Sequence, residues 1–376
     1  MKQQVKKAVL AYSGGLGTSI IIPWLKENYG CEVVAVVADV GQDEEVHKLE
    51  DKALRSGASK VFIDDLRREF VTGYLWPLLK SGAVYEGAYL LGSSIARPLI
   101  AKRQIEIAIQ EGADALAHGC PALGNDQVRF ERAYSAFAPQ LKVIAPWREW
   151  SIRSRYEALS YAREHRIQVT AADESTYSHD SNLWHMSYEG GTLDDLTEAP
   201  PKDFFERTMN PSASPDGESE ITIDFENGVP VGLNGTSIPP VQIIEDLNEI
   251  GGTNGIGRMD LVEDCNENVK SRGIYETPGG TLITTAHREL ESLVLDRQTR
   301  HQKEILAINY AQLVYDGYWF SPLREALDAF FAKTNEKVKG SITLSLYKGN
   351  IVVKSRKSPN SLYRADIASL AAQAHL

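Results

Sequence analysis

The apolar positions of this chain follow two regimes. Up to about residue 146, short runs rich in β-branched residues alternate with longer stretches whose apolar residues recur at helical spacing. Glu32-Val33-Val34-Ala35-Val36-Val37-Ala38 is nearly continuous, as in a parallel strand covered on both faces. Further strands are predicted at residues 8–11, 60–64, 113–118 and 142–146, with helices over 18–28, 44–56 and 95–111. Such alternation describes an open, mostly parallel sheet with helices on both faces and ligands at the carboxyl ends of its strands.

The pattern changes past about residue 168. Residues 170–191 are polar and irregular, and 200–215 are rich in Pro, Ser and Asp. From Ile221 the chain reads as alternating strands with Asn-Gly and Gly-Gly turns, beginning with a hairpin of residues 221–225 and 229–231 around Asn227-Gly228. One long helix is predicted over 286–316, a second over 322–335, and a last hairpin pairs 341–347 with 351–355. The expected fold class is therefore α/β, an open, mostly parallel nucleotide-binding domain over 1–168, followed by an α+β domain over 169–358 and a short tail over 359–376.

Composition narrows the function classes. A chain of 376 residues suits two domains, each with its own core, and 43% hydrophobic with 24% charged residues is a soluble globular balance. No apolar run approaches the roughly 18 residues needed to span a bilayer, so no membrane partner is expected. The net charge of −11 argues against a nucleic-acid partner, because phosphate backbones are held by clustered Lys and Arg. The basic start Met1-Lys2-Gln3-Gln4-Val5-Lys6-Lys7 leads into a strand pattern rather than a leader core, and a cytoplasmic location is expected. Cys31, Cys120 and Cys265 are isolated thiols, and His179 with His185 lacks helical ligand spacing, so no metal site built on these side chains is expected.

The most informative stretch is Ala11-Tyr12-Ser13-Gly14-Gly15-Leu16-Gly17-Thr18-Ser19. Two adjacent glycines permit a tight turn, three hydroxyls add donors, and the first N–H groups of the following helix point toward an anion. An ordinary βα turn with a serine cap is the alternative reading of these residues. Asp39-Val40-Gly41-Gln42, after Ala38, and His118-Gly119 fall at the same sheet edge. Three loops from three strands converge there, which packing alone does not require.

The loop resembles the Ser-Gly-Gly-x-Asp-x-Ser loop of the ATP pyrophosphatases, with Gly17 in place of aspartate. Four blocks in order then resemble the argininosuccinate synthase family: Ala11 to Leu16; Tyr89-Leu90-Leu91-Gly92-Ser93-Ser94 with Ala96-Arg97-Pro98; Gly124-Asn125-Asp126-Gln127-Val128-Arg129-Phe130-Glu131; and Lys270-Ser271-Arg272-Gly273-Ile274-Tyr275-Glu276-Thr277-Pro278-Gly279-Gly280. The resemblance implies a cytoplasmic enzyme of arginine biosynthesis using ATP with Mg²⁺. The ureido oxygen of citrulline attacks the α-phosphate, releasing pyrophosphate, and the amine of aspartate then displaces AMP. Adenylation supplies the leaving group, so the protein positions reactants and stabilises charge, and no side-chain nucleophile is required.

Carried onto this sequence, the family's ATP contacts fall on Ala11, Tyr12, Ser13, Gly14, Gly15, Gly17, Thr18, Ser19, Ala38, His118 and Gly119. Its citrulline contacts fall on Tyr89, Ser94, Asn125, Arg129, Ser178, Ser187, Glu263 and Tyr275, all of the expected type. In that set Arg129 suits a carboxylate and Glu263 an α-ammonium. The aspartate contacts fall on Asn125 and Asp126, with Pro121 where the family has threonine. Leu123 replaces a lysine expected near the phosphates, and Asp264-Cys265-Asn266-Glu267-Asn268-Val269 replaces Asn-Arg-Phe-x-Gly-Met. The family also continues past the match to Ser361-Leu362-Tyr363 into a tail that embraces neighbouring subunits, whereas this sequence runs to Leu376. A homo-oligomer is expected, with the tetramer an open question. Three readings follow: a ligase for citrulline and aspartate, a relative joining a ureido amino acid to another amine, and a non-catalytic citrulline or nucleotide binder.

Overall fold

The computed structural model describes residues 5–42, 46–121, 124–152, 154–170, 177–201, 204–265 and 269–367. Strands β1 (Lys7–Ala11), β2 (Glu32–Asp39), β3 (Lys60–Asp65), β4 (Ala115–Ala117) and β5 (Lys142–Ile144) form one all-parallel sheet in the order β3-β2-β1-β4-β5. Alternate residues of β1 enter two different cores: Ala8 and Leu10 pack with Ile20, Ile21 and Leu25, while Val9 and Ala11 pack with Ile105, Phe130 and Tyr134. Burial on both faces explains why the central strands β1, β2 and β4 read as unbroken apolar runs. The order reverses about β1, which opens a crevice at the carboxyl ends of β1 and β4.

Two antiparallel sheets follow. One joins β8 (Ser219–Glu226), β9 (Val229–Leu233), β10 (Thr236–Ser237), β13 (Gly340–Tyr347) and β14 (Asn350–Lys357) in the order β10-β9-β8-β13-β14. The other joins β6 (Ser178–Ser181), β7 (Met186–Glu189), β11 (Arg258–Cys265) and β12 (Val269–Glu276) in the order β11-β12-β7-β6. Apolar side chains between Leu66 and Leu99 share one core with both the β8–β13 sheet and the helices that follow it, so the two halves of the chain are packed together.

Several expectations need correction. The helix predicted over 286–316 is two helices, Pro278–Val294 and Arg297–Tyr315. Asp296 divides them: its backbone is extended and its carboxylate accepts from the Gln298 and Thr299 N–H groups at 3.0 Å, an N-cap inside an otherwise continuous periodicity. Residues 178–181 and 186–189, read as irregular, are strands whose polar residues line the site described below. The helix predicted over 44–56 is observed as Val46–Arg55, with 44 and 45 outside the described residues.

Candidate functional site

The crevice is floored by the loop after β1. Gly14 has φ +82°, a conformation that favours glycine, and a Cβ there would push aside the end of the Leu49 side chain. Gly15 stands at the N-terminus of the helix Leu16–Tyr29 without a side-chain cap. Ser13 Oγ and Thr18 Oγ1 lie 3.1 Å apart, and Thr18 Oγ1 also donates to the Gly15 carbonyl at 3.2 Å. Beneath them the buried Tyr12 hydroxyl meets Ser19 Oγ at 3.0 Å, tying strand to helix. Gly119 closes the other side, where a Cβ would lie 2.9 Å from Thr18 Cγ2. His118 is held by its own loop: Cys120 N donates to Nδ1 at 3.3 Å, leaving Nε2–H for Glu131 Oε1 at 3.2 Å. Ala38 is the last residue but one of β2, and its carbonyl accepts from Gln42 Nε2 at 3.0 Å. The loop therefore gathers Ala11 to Ser19, Ala38, His118 and Gly119 at one sheet edge. Pro121 is exposed, and Leu123 lies outside the described residues.

The second wall is one face of the β11-β12-β7-β6 sheet. Side chains two apart share a face, and the registers Tyr275↔Ser187, Asp180↔Ser187, Ser178↔Glu189 and Leu261↔Gly273 place Ser178, Asp180, Ser187, Glu189, Gly273, Tyr275 and Glu263 on the same one. Gly273 is required there because a Cβ would overlap the Tyr275 hydroxyl and lie 2.7 Å from Glu263 Oε1. The Tyr275 hydroxyl donates to Glu263 Oε1. Tyr275 also stacks on Tyr89 with ring centroids 4.6 Å apart, and burial pushes the Tyr89 phenol up to about 12.

The helix Asn125–Phe137 faces this wall. Asn125 Nδ2 donates to the Tyr315 hydroxyl at 2.8 Å, and Arg129 Nε donates to the Tyr315 carbonyl at 2.9 Å. A half-buried ionic chain links the halves: Arg129 to Asp126 Oδ1 at 2.8 Å, Asp126 Oδ2 to Arg97 Nε at 2.8 Å, and Arg97 to Asp180 Oδ2 at 2.7 Å. Against the cost of burial, the two guanidiniums hold the Asp126 carboxyl well below the usual range. Ser93 Oγ donates to Asp180 Oδ2 at 3.0 Å and meets His185 Nε2 at 3.1 Å. Burial lowers the His185 imidazole to about 3, so it is neutral. Ser94 Oγ is buried and has no hydrogen-bond partner among the described residues.

The structure thus brings Tyr89, Ser94, Asn125, Asp126, Arg129, Ser187, Glu263 and Tyr275 to one pocket wall or its immediate backing. Ser178 sits on the same sheet face but at its edge, exposed. Sequence reading overlooked Arg97, Asp180, His185, Glu189 and Tyr315 as site residues. Their partners lie far away along the chain, so periodicity gives no sign of them, although Arg97 falls inside a recognised block. Residues 266–268 and the Cys265 side chain lie outside the described residues; Cys31 and Cys120 are free thiols.

A doubly covered parallel sheet with a glycine loop at its reversal point, joined to a pocket of paired charges and hydroxyls, defines a two-domain nucleotide-using enzyme for a small zwitterionic substrate. Residues 7–168 match the family model described as the arginosuccinate synthase N-terminal HUP domain, and residues 177–376 match its C-terminal domain. Three proteins named argininosuccinate synthase are similar over almost the whole chain. That of Roseiflexus sp. (strain RS-1) is 58% identical over 370 residues, 98% of this chain and 91% of the relative. Those of Koribacter versatilis and Carboxydothermus hydrogenoformans are 57% and 56% identical over 364 residues, each covering 97% of this chain and 90% and 91% of the relative. The chain belongs to the argininosuccinate synthase family.

Proposed function

We propose that the chain joins citrulline to aspartate at the expense of ATP, forming argininosuccinate with AMP and pyrophosphate. The observation that carries this reading is the single sheet face holding Ser187, Glu263 and Tyr275 opposite Asn125 and Arg129, a constellation matched in charge and hydrogen-bonding type to an amino acid with a polar side chain. Near-full-length identity to the relatives favours the ligase over the other-amine and binding-protein readings.

In this assignment Arg129 meets the α-carboxylate and Glu263 the α-ammonium, with Tyr89, Ser94, Asn125, Tyr275, Ser187 and Ser178 holding the polar remainder. The loop of Ser13, Gly14, Gly15, Gly17, Thr18 and Ser19 cradles the triphosphate at the helix N-terminus. Asn125 and Asp126 receive aspartate beside Pro121. Mg²⁺ enters as the MgATP substrate: the loop offers hydroxyls and N–H groups, and the ion keeps phosphate and water ligands. In the same assignment Asn125, the first residue of its helix after Gly124, holds the ureido end so that its oxygen faces the α-phosphate.

A homo-oligomer is part of the same proposal, supported by Ile305 and Ile308, 57% and 69% exposed on one helix. A cytosolic location is supported by the free thiols Cys31 and Cys120. Among the described residues no helix is long and apolar enough to cross a membrane. Citrulline-dependent release of pyrophosphate from MgATP tests the reading; a chain that binds citrulline without releasing it would overturn it.

A further inference from the structure

Next to the glycine loop stands a histidine whose ring is closed off from the crevice. His118 directly follows β4, and its side chain is only 1% exposed. The ring lies along Phe130, with centroids 5.9 Å apart, and beside Tyr134 at 6.2 Å. Both ring nitrogens are spent inside the protein: Nδ1 accepts from Cys120 N at 3.3 Å, and Nε2 meets Glu131 Oε1 at 3.2 Å. Arg148 donates to the same Glu131 oxygen. Against the cost of burial, the His118 hydrogen bond and the Arg148 guanidinium hold the Glu131 carboxyl below its ordinary range, so it only accepts. Nε2 therefore carries the proton, which leaves the Nδ1 lone pair for the Cys120 N–H.

The root of the same loop is fixed independently. Gln104, fully buried, donates from Nε2 to the carbonyls of Val9 and Ala117, each at 2.8 Å, and its Oε1 accepts from the Tyr134 hydroxyl. Beyond His118 the backbone runs onto the phosphate loop: a Cβ on Gly119 would lie 2.9 Å from Thr18 Cγ2 and 3.3 Å from Ile21 Cδ1. With the strand end anchored, the hydrogen bond from Cys120 N to His118 sets the course of residues 118–120, and with it the spacing between the two nucleotide loops.

We propose that Glu131 is a positioning residue for the nucleotide: its carboxylate locks His118 in the Nε2–H tautomer, and the locked ring holds residues 118–120 against Thr18. This rests on the ligase reading above, in which ATP sits between those loops. His118 then serves ATP through its backbone and that of Gly119, its ring nitrogens being unavailable as ligands. Without the Glu131 acceptor the proton is free to sit on Nδ1, where it faces the Cys120 N–H. Two donors then oppose each other, and the loop leaves Thr18.

Tautomer and affinity are read separately, the first by nitrogen NMR of histidine-labelled protein and the second by calorimetry with MgATP and with citrulline. The His118 signals are assigned by their loss in His118→Asn. In the wild type Nδ1 reads as unprotonated and Nε2 as protonated. Glu131→Ala gives a mixture of tautomers, weakens MgATP binding about tenfold or more and leaves citrulline affinity within about twofold. Glu131→Gln keeps an acceptor at the same reach and restores the tautomer, with MgATP affinity within about threefold of the wild type. A protonated Nδ1 in the wild type, MgATP affinity unmoved in Glu131→Ala, or citrulline affinity falling as far as that for MgATP overturns the assignment. A wild type with the expected tautomer that binds no MgATP overturns the ligase reading and this assignment with it.

Discussion

The Tyr315 hydroxyl lies 2.6 Å from Glu263 Oε2 and 2.5 Å from the Asp264 carbonyl, while accepting from Asn125 Nδ2. One phenol, at the last turn of the helix Arg297–Tyr315, thereby fixes a strand residue and a residue of the nucleotide-binding half together. Its ring lies under the Arg129 guanidinium at 4.9 Å and stacks on Tyr85 at 3.7 Å, so its orientation is set from both faces. Tyr315→Phe keeps the stacking and removes the hydrogen bonds. A hydrogen bond to a charged group contributes about 1.5–3 kcal/mol. The citrulline KM should rise about tenfold or more, with kcat changed less, in steady-state kinetics.

Gly273 is where side-chain volume is excluded from the pocket. A Cβ there must displace Tyr275 or Glu263, both buried. Gly273→Ala should abolish citrulline binding in calorimetry while the circular dichroism spectrum stays native. Undisturbed citrulline affinity would show that Tyr275 and Glu263 do not form the pocket together.

The contrast between the two halves explains what the sequence could disclose. The parallel sheet was legible because its central strands are buried on both faces and read as apolar runs, and the Asn227-Gly228 hairpin because both residues take positive φ. Strands β6 and β7 were not, because a strand that lines a polar site carries Ser, His and Asp where a core strand carries Val and Ile. The pocket residues were reached through resemblance alone. Arg97 with Asp180 and Tyr315 with Glu263 are side-chain pairs between distant segments, and no local pattern encodes them. The break at Asp296 was hidden because its cap interrupts the backbone but not the apolar spacing.

Gly17 is the departure in the phosphate loop that the structure accommodates most readily. No atom lies within 4 Å of a Cβ built there, and the position is in the first turn of a helix, where an acidic residue is favoured. Gly17→Asp should leave the melting temperature equal or higher. It should raise kcat/KM for MgATP by about threefold or more if a carboxylate there orients the metal-bound phosphates. An unchanged value would place the loop's function in its hydroxyls and N–H groups.

His185 gives stability a pH dependence of known sign. Its imidazole titrates at about 3 in the fold, where it is wedged against Gly92, and near 6.5 when unfolded. Between these values the unfolded chain binds the extra proton, so stability falls as pH drops below about 6.5, by at most about 1.4 kcal/mol per pH unit from this group. Urea midpoints should show a shallower decline from neutral to mildly acidic pH for His185→Gln than for the wild type. Parallel declines would mean that His185 is not the buried neutral group described.

The most direct test of the whole account is pyrophosphate release from MgATP by the unaltered protein, with citrulline present, measured with and without aspartate. The account predicts release that requires citrulline and becomes continuous turnover when aspartate is added. Absence of citrulline-dependent release would contradict it, because the glycine loop and the citrulline wall would then not act on one another.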